Sequence, residues 1–534
     1  MILARLFEVL RGGGARQRLR TRRVQELLGR ADALLSSEDL AGAKRCYSDV
    51  LDLDDTVAEA HAQLALLLTG SRRFTEALSH YRAAYAREAL RGDVLESYVR
   101  VLLHSGFLDE ALEVSDSAVR SDPATYETWL GAGLAALALH RYDQALAAFE
   151  RAITLRSDSM EAHTNRGIAL QNLGRLDEAE SELARVLDNH PDDALAEFHL
   201  GLCLLRRGAY APAWPHYEAR LANPEAAARP PAFPRWDGNV PTPCTLLVYG
   251  EQGLGDEIMF ASCLPDFMRT GARCVVECNP KLLKLFTRSF VDATVYAGNA
   301  QKHVPDEIRR IGIDAEVLIG TLPLYFRRSL QAFPEHKGYL KADPERTNVW
   351  RARLDALGPG LKVGISWQGG THSTRAPLRS IPLREWLPIL RTPNLRFVSL
   401  QYTSDAPQAL AGIAQEHGVH IAHWPEAIAD YDDTAALVCA LDLTISVCTA
   451  VVHLAGALGR PVWVLVPGNP EWRYGNAGAT MPWYPSARLF RQAARQSWTE
   501  VIAAVRAAVE TRFGTRGVAY QHSTLDRCPP PPRK

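Results

Sequence analysis

The chain has 534 residues, with 60 lysines and arginines against 61 aspartates and glutamates, so its formal net charge is −1. That balance excludes the overall basic footprint of a general nucleic-acid binder, and the length allows about three domains. Nine cysteines are scattered without a C-x-x-C pair, which points away from a zinc site or a disulfide scaffold and towards a reducing, cytoplasmic setting. The first element is a basic leader, 1–23, MILARLFEVLRGGGARQRLRTRR. Most of its charges follow the apolar stretch, the reverse of a signal peptide, and that stretch is too short to span a bilayer. It reads either as a frayed leader or as a small amphipathic helix compatible with peripheral membrane contact. No transmembrane segment is expected.

From 24 to 225 one period dominates. Ala43, Ala77, Ala111, Ala145, Ala179 and Ala213 stand 34 residues apart. Four residues after most of them comes an aromatic: Tyr47, Tyr81, Phe149 and Tyr217. Twelve before the later alanines stand Gly133, Gly167 and Gly201, with Ala31 and Ala65 in the first two units. Pro123 and Pro191 are expected to end helices, since proline lacks the N–H and clashes with the preceding turn. Runs such as FTEALSHYRAAYA and YDQALAAFERAITL have the apolar spacing of amphipathic helices. Small residues allow close helix approach, and the aromatics fill the space between units. This pattern resembles the tetratricopeptide repeat (TPR), a helix–turn–helix unit that stacks into a solenoid, here of about six repeats. The resemblance implies a groove that holds an acceptor protein or peptide. Asn165 occupies the position of the asparagine ladder found in some TPR glycosyltransferases, and Trp129 and His199 are taken with it as candidate groove residues.

The segment 226–241, rich in proline and small residues, reads as a linker. Strand-like and helix-like runs then alternate. Expected strands are 245–250, 273–280 and 314–320, followed by a fresh series at 362–369, 396–401, 419–424, 443–447 and 461–467. Such alternation means parallel sheets with helices on both faces. Two Rossmann-like domains are expected, 242–345 and 346–515, facing a cleft at the C-terminal ends of their strands. The tail, 516–534, is proline-rich and expected to be disordered.

Three polar segments follow these strands. The first is Gly250-Glu251-Gln252-Gly253-Leu254-Gly255-Asp256. Its glycines permit a tight turn, and the helix behind it favours an anion at its N-terminus. Asp256 is either a reactive carboxylate or a first-turn residue that stabilises the helix. The second runs from Trp367-Gln368-Gly369-Gly370 through His372, Ser373 and Arg375 to Arg379. Its arginines either bind a pyrophosphate or line a solvated loop. The third is Cys448-Thr449-Ala450-Val451-Val452-His453, where Thr449 is placed to cap a helix. His453 is either functional or a core histidine. Glu471-Trp472-Arg473 lies beyond the next strand; Trp472 either stacks on a ligand or covers the core.

In order, GLGDEIMFASCLPDF, VGISWQGG, RSIPLREW and ISVCTAVVHLAGALGRPVWVLVP resemble the GT-B glycosyltransferases of the ADP-heptose:lipopolysaccharide heptosyltransferase type, glycosyltransferase family 9. The resemblance covers about half of the chain. It implies an α solenoid followed by a GT-B fold, with an acceptor-side half (242–345) and a nucleotide-sugar half (346–515). It implies an inverting, metal-independent transferase that takes a nucleotide-diphospho-sugar as donor and needs no cofactor. Asp256 falls on the family's general base. Gly253, Gly255, Trp367, Gln368, Arg379, Thr449, Ala450, His453, Glu471 and Trp472 are carried to the donor side. Arg379 stands where the family has a lysine, Cys448 where it has an aspartate and Ala450 where it has a glycine. These departures keep a second reading open, a non-catalytic TPR adaptor with a degenerate GT-B domain. A third is a lipopolysaccharide or polysaccharide glycosyltransferase docked by its TPRs.

Overall fold

A computed structural model of the chain describes residues 2–88, 90, 92–120, 124–222, 230–239, 244–298, 303–371, 374–493 and 497–513, with side chains described from residue 17. Pro123, His372, Ser373, Cys528, the tail 516–534 and parts of the expected linker (226–229 and 240–241) lie outside the described residues. The chain divides into two compact units, Met1–Ala196 and Glu197–Lys534.

The first unit is helical. The helices are α1 (Ile2–Ser36), α2 (Leu40–Leu53), α3 (Ala58–Gly70), α4 (Phe74–Tyr85) and α5 (Gly92–His104). They continue with α6 (Leu108–Val119), α7 (Tyr126–Ala138), α8 (Tyr142–Leu155), α9 (Met160–Leu173) and α10 (Leu176–Asn189). The basic leader is therefore not a frayed strand of chain: its backbone continues as helix into the first repeat. Consecutive helices pack in pairs, and each pair packs on the next. The periodic alanines explain how. Ala43, Ala77, Ala111, Ala145 and Ala179 are wholly buried, as are Tyr47, Tyr81 and Phe149. A Cβ on Gly133 would lie 2.4 Å from the Phe149 ring, and one on Gly167 would lie 2.7 Å from Leu183. Each glycine lets the first helix of its pair rest on the second. Pro191 follows the end of α10, where a helix cannot continue.

The boundary falls within the first turn of α11 (Ala194–Arg207), and the second unit continues with α12 (Tyr210–Tyr217) and a 3₁₀ turn, Glu218–Ala222. Gly201 faces a neighbour of a different kind from the other repeat glycines, because its Cβ would stand 2.8 Å from the backbone nitrogen of Tyr217 rather than from a side chain. Backbone cannot rotate away as a leucine tip can. Gly201→Ala should therefore destabilise this unit by about 1–3 kcal/mol through overpacking, against at most about 1 kcal/mol gained in helix propensity. Urea unfolding followed by tryptophan fluorescence checks this, since Trp214 is buried on α12.

Two parallel sheets follow. The first has strand order β3-β2-β1-β4, from β1 (Thr245–Tyr249), β2 (Arg273–Cys278), β3 (Thr294–Ala297) and β4 (Ala315–Leu318). The second has order β6-β5-β7-β8-β9, from β5 (Leu361–Ser366), β6 (Leu395–Ser399), β7 (Leu443–Val447), β8 (Val462–Val466) and β9 (Ala487–Arg491). The central strands β1, β7 and β8 are almost entirely buried, as expected where helices cover both faces. The expected strand at 419–424 does not form. Only Ala422 bridges to Val398, while its neighbours are half-exposed and make no ladder. Two edge strands, β3 and β9, were not expected from the sequence. Within the expected linker, Arg235 bridges to Glu316 on β4. Among the described residues no helix is long and apolar enough to cross a membrane.

Candidate functional site

The turn after β1 runs from Gly250 to Gly253 and leads into α13 (Leu254–Phe260). Gln252 holds a left-handed backbone with φ 63°. A Cβ on Gly255 would stand 2.9 Å from His453 Cδ2 and 3.3 Å from Ala450 Cα. Glycine at this position thus lets α13, which follows β1, touch the helix Ala450–Ala457, which follows β7. The two segments singled out in the sequence meet at the C-terminal ends of their strands.

Asp256, in the first turn of α13, accepts from Arg473 Nη2 at 2.5 Å. Arg473 also donates to Glu471, and Arg379 Nη1 donates to the same carboxylate at 2.7 Å. Arg379 reaches on to Thr374 Oγ1 at 3.0 Å and to the Gly369 carbonyl at 3.3 Å. All four charged side chains are mostly buried, Asp256 being 19% exposed. Burial raises the Asp256 carboxyl above its ordinary value of 3.8; Arg473 opposes this and Glu471 adds to it. Burial acts on Glu471 in the same direction, but Arg473, Arg379 and Arg375 outweigh it, so its carboxyl is held below the ordinary 4.5. The cluster therefore contains one firmly ionised carboxylate between two guanidiniums, and one carboxylate whose proton affinity is raised.

Thr449 caps the helix Ala450–Ala457 by accepting from the Val451 N–H at 3.3 Å. His453 is buried, with Nδ1 3.0 Å from the Tyr484 hydroxyl. Burial, then Arg473 and Arg379, hold its pKa well below 6.5, so the ring is neutral. Cys448 is buried, and burial pushes its thiol up to about 12. Its sulfur lies 3.8 Å from the Leu465 carbonyl.

Other sequence candidates sit differently. The Trp367 indole is packed in the core of the second sheet, and the Trp367 backbone N–H donates to Gln401 Oε1 at 3.1 Å. Gln368 donates to Thr403 at 2.9 Å and to Asp405 at 3.0 Å. The Trp472 indole is taken up by Trp214 (5.7 Å), Tyr217 (5.8 Å), Trp483 (6.2 Å) and Phe260 (6.3 Å) between ring centres. Gly253 stands before α13 without a capping side chain. In the helical repeats, the Asn165 amide turns back to the Glu161 carbonyl at 2.9 Å and is buried. Arg151 lies over the Trp129 ring, 5.8 Å from its centre. His199, on α11, is half-buried beside Phe198. Sequence reasoning did not find Tyr484 or Arg220, which carry no repeated spacing or motif that would mark them; Tyr217 was marked only by the repeat spacing and Glu251 only as a member of the turn, neither as a residue of the site.

Beside the turn, Glu257 is buried and accepts from the Asn279 N–H at 2.8 Å. Burial raises its carboxyl to about 7. A carboxyl with a folded-state value above its ordinary 4.5 stabilises the fold below that ordinary value. The contribution is lost as pH rises through about 7. Glu257→Gln should accordingly flatten the decline in thermal midpoint between about pH 4.5 and 7, read by circular dichroism.

Comparison with known proteins separates the two parts. Tetratricopeptide repeat models match residues 28–93, 63–126, 98–159 and 136–199, so the helical pairs are tetratricopeptide repeats. The chain is 31% identical over 476 residues to Protein FlbA of Caulobacter vibrioides (strain ATCC 19089 / CIP 103742 / CB 15), covering 85% of this chain and 78% of that protein. The chain belongs to the FlbA family. The FlbA match reaches well beyond the repeats, so the family shares the α/β part as well as the solenoid. Among solved structures, this FlbA relative is similar to a tetratricopeptide repeat protein from Parabacteroides merdae ATCC 43184. The identity there is 18%, over 39% of this chain and 82% of that one, with a TM-score of 0.33. It is also similar to YrrB, described as a TPR protein with an unusual peptide-binding site. That match has 22% identity over 33% of this chain and 91% of that one, with a TM-score of 0.28.

Proposed function

We propose that the α/β part is a GT-B glycosyltransferase domain that moves a sugar from a nucleotide-diphospho-sugar to an acceptor, and that the TPR array selects that acceptor, a protein. The observation that carries this reading is the meeting of Asp256 and Arg473 beside the contact of Gly255 with His453 and Ala450. It brings a carboxylate, a set of arginines and a helix N-terminus to facing strand ends. In this reading Asp256 takes the proton of the acceptor hydroxyl as its oxygen attacks the anomeric carbon. The bond to the diphosphate breaks on the opposite face, and the configuration inverts. Arg379, Arg473 and the N–H groups behind Thr449 stabilise the negative charge of the leaving diphosphate. Glu471 shares both arginines, so an incoming diphosphate competes with this carboxylate for them.

The raised proton affinity of Asp256 gives a pH signature. The acid limb of donor turnover should lie above the ordinary carboxylate value of 3.8. The decisive experiment exposes the full chain to ADP-, GDP-, UDP- and dTDP-linked sugars and measures binding and slow hydrolysis. One donor that binds and is hydrolysed supports the enzyme. Its label then reports whether protein, lipid or polysaccharide receives the sugar.

A second reading, a TPR adaptor with a relic cleft, draws on a specific feature. Cys448 buries an uncharged thiol where related enzymes carry an aspartate. If no sugar nucleotide binds at millimolar concentration, the adaptor reading replaces the first.

A further inference from the structure

The last helical pair does more than end the repeat array. Gln252 Nε2 donates to the Tyr217 hydroxyl at 2.8 Å, from the left-handed residue in the middle of the turn that leads to Asp256. Next to it, Arg220 is buried and grips Glu251 through two bonds, Nη2 to Oε1 at 2.7 Å and Nε to Oε2 at 3.1 Å. Arg220 Nη2 also reaches Thr321 Oγ1 at 2.9 Å, and the Gly320 N–H donates to Glu251 Oε1 at 3.1 Å. The turn is therefore tied on one side to the 3₁₀ segment after β4 and on the other to the end of α12.

The same helical pair reaches the other sheet. Arg206 of α11 donates to Asn469, in the loop after β8. Trp214 and Tyr217 of α12 pack edge-on against Trp472 of that loop. Trp214 Nε1 is itself anchored to the Arg327 carbonyl at 2.8 Å. Asp256 and Arg473, the two partners across the site, thus stand on segments that one helical hairpin holds at both ends.

We propose that α11, α12 and the turn behind them form a brace that fixes the Glu251–Asp256 turn against the Asn469–Arg473 loop, with Tyr217 and Arg220 as positioning residues for Asp256. This rests on the glycosyltransferase reading for its catalytic consequence, but not for the brace itself. Neither side chain touches a reacting atom. They act by holding the backbone of the turn, and small displacements of a catalytic group cost rate steeply. The consequence is that the α/β part is not a free-standing enzyme onto which repeats were added: its last repeat belongs to the site.

The test uses the full chain and two gentle variants. Tyr217→Phe keeps the ring and removes the hydroxyl. Gln252→Gly keeps the left-handed backbone, which glycine adopts readily, and removes the amide. Hydrogen exchange of the amides at 251–256 is measured in each, together with turnover of the hydrolysed sugar nucleotide and binding of ADP, GDP, UDP and dTDP. The brace predicts faster exchange at 251–256, nucleoside diphosphate binding unchanged within about twofold, and kcat lowered about 10- to 100-fold. Exchange equal to wild type in both variants overturns it, as does faster exchange with full kcat. If the wild type hydrolyses no donor, the glycosyltransferase reading fails alone, and exchange at 251–256 still decides the brace.

Discussion

Asp256→Asn is expected to lower sugar transfer and donor hydrolysis by about 10²- to 10⁴-fold, the range general-base catalysis contributes, while leaving sugar-nucleotide binding close to that of the wild type. The asparagine keeps the size and can still accept from Arg473, so the turn stays in place; what it loses is the ability to take a proton. Two features of the site shape the result. Asp256 is held by Arg473 at 2.5 Å, which orients the carboxylate and works against its protonation. Burial and Glu471 work the other way and prevail, so its proton affinity is closer to that needed near neutral pH than an exposed aspartate's would be. Arg473→Lys is the informative companion. It retains a charge beside Asp256 but cannot hold Asp256 and Glu471 together with one planar group. Rapid-quench turnover and equilibrium binding of the same donor separate the two effects. A variant Asp256→Asn with undiminished turnover would remove this residue from the chemistry.

Much of the architecture was legible in the sequence because burial leaves a periodic trace. The six alanines at one interval are all fully buried, since each must let one helix approach another. The central strands were legible for a related reason: a strand covered on both faces must be a short run of aliphatic and β-branched residues, as in β1, β7 and β8. Edge strands carry no such constraint. β3 is four residues long and largely half-exposed, and β9 sets the adjacent Leu489 and Phe490 between Arg488 and Arg491. The run at 419–424 shows the opposite failure, a strand-like sequence that gains one bridge because its side chains stay half in solvent.

The site was legible only in pieces. Glycines and a capping threonine mark the strand ends, so the turn at 250–256 and the segment at 448–453 could be found. What joins them could not. Arg473 and Asp256 are 217 residues apart, and no local rule relates a cation in one loop to a carboxylate in another. Trp472 illustrates the ambiguity of an aromatic near a cleft: the sequence allowed a stacking platform or a core cover, and the structure surrounds its indole with four other rings.

The largest expected loss of stability comes from the brace. Arg220→Met should destabilise the second unit by about 3–5 kcal/mol, the cost of breaking a buried pair by removing one partner. Arg220 and Glu251 are each 5% exposed, so neither charge is served by solvent. The arginine also satisfies Glu218 and Thr321, and the Thr321 hydroxyl donates to Glu218 at 2.8 Å. Removing the guanidinium leaves the buried Glu251 carboxylate without its cation, while Glu218 keeps partial access to solvent. Most of the cost is the stranded charge rather than the lost attraction. The double variant Arg220→Met with Glu251→Gln should therefore be more stable than Arg220→Met alone, because the glutamine can still accept from Gly320 without carrying a charge. Trp214 and Trp472 lie in the same aromatic cluster, and their fluorescence reports unfolding of this region in urea. Equal midpoints for the single and double variants would mean that Glu251 finds another partner. The arginine would then act by packing alone, and the turn before Asp256 would be held chiefly by Tyr217 and Gln252.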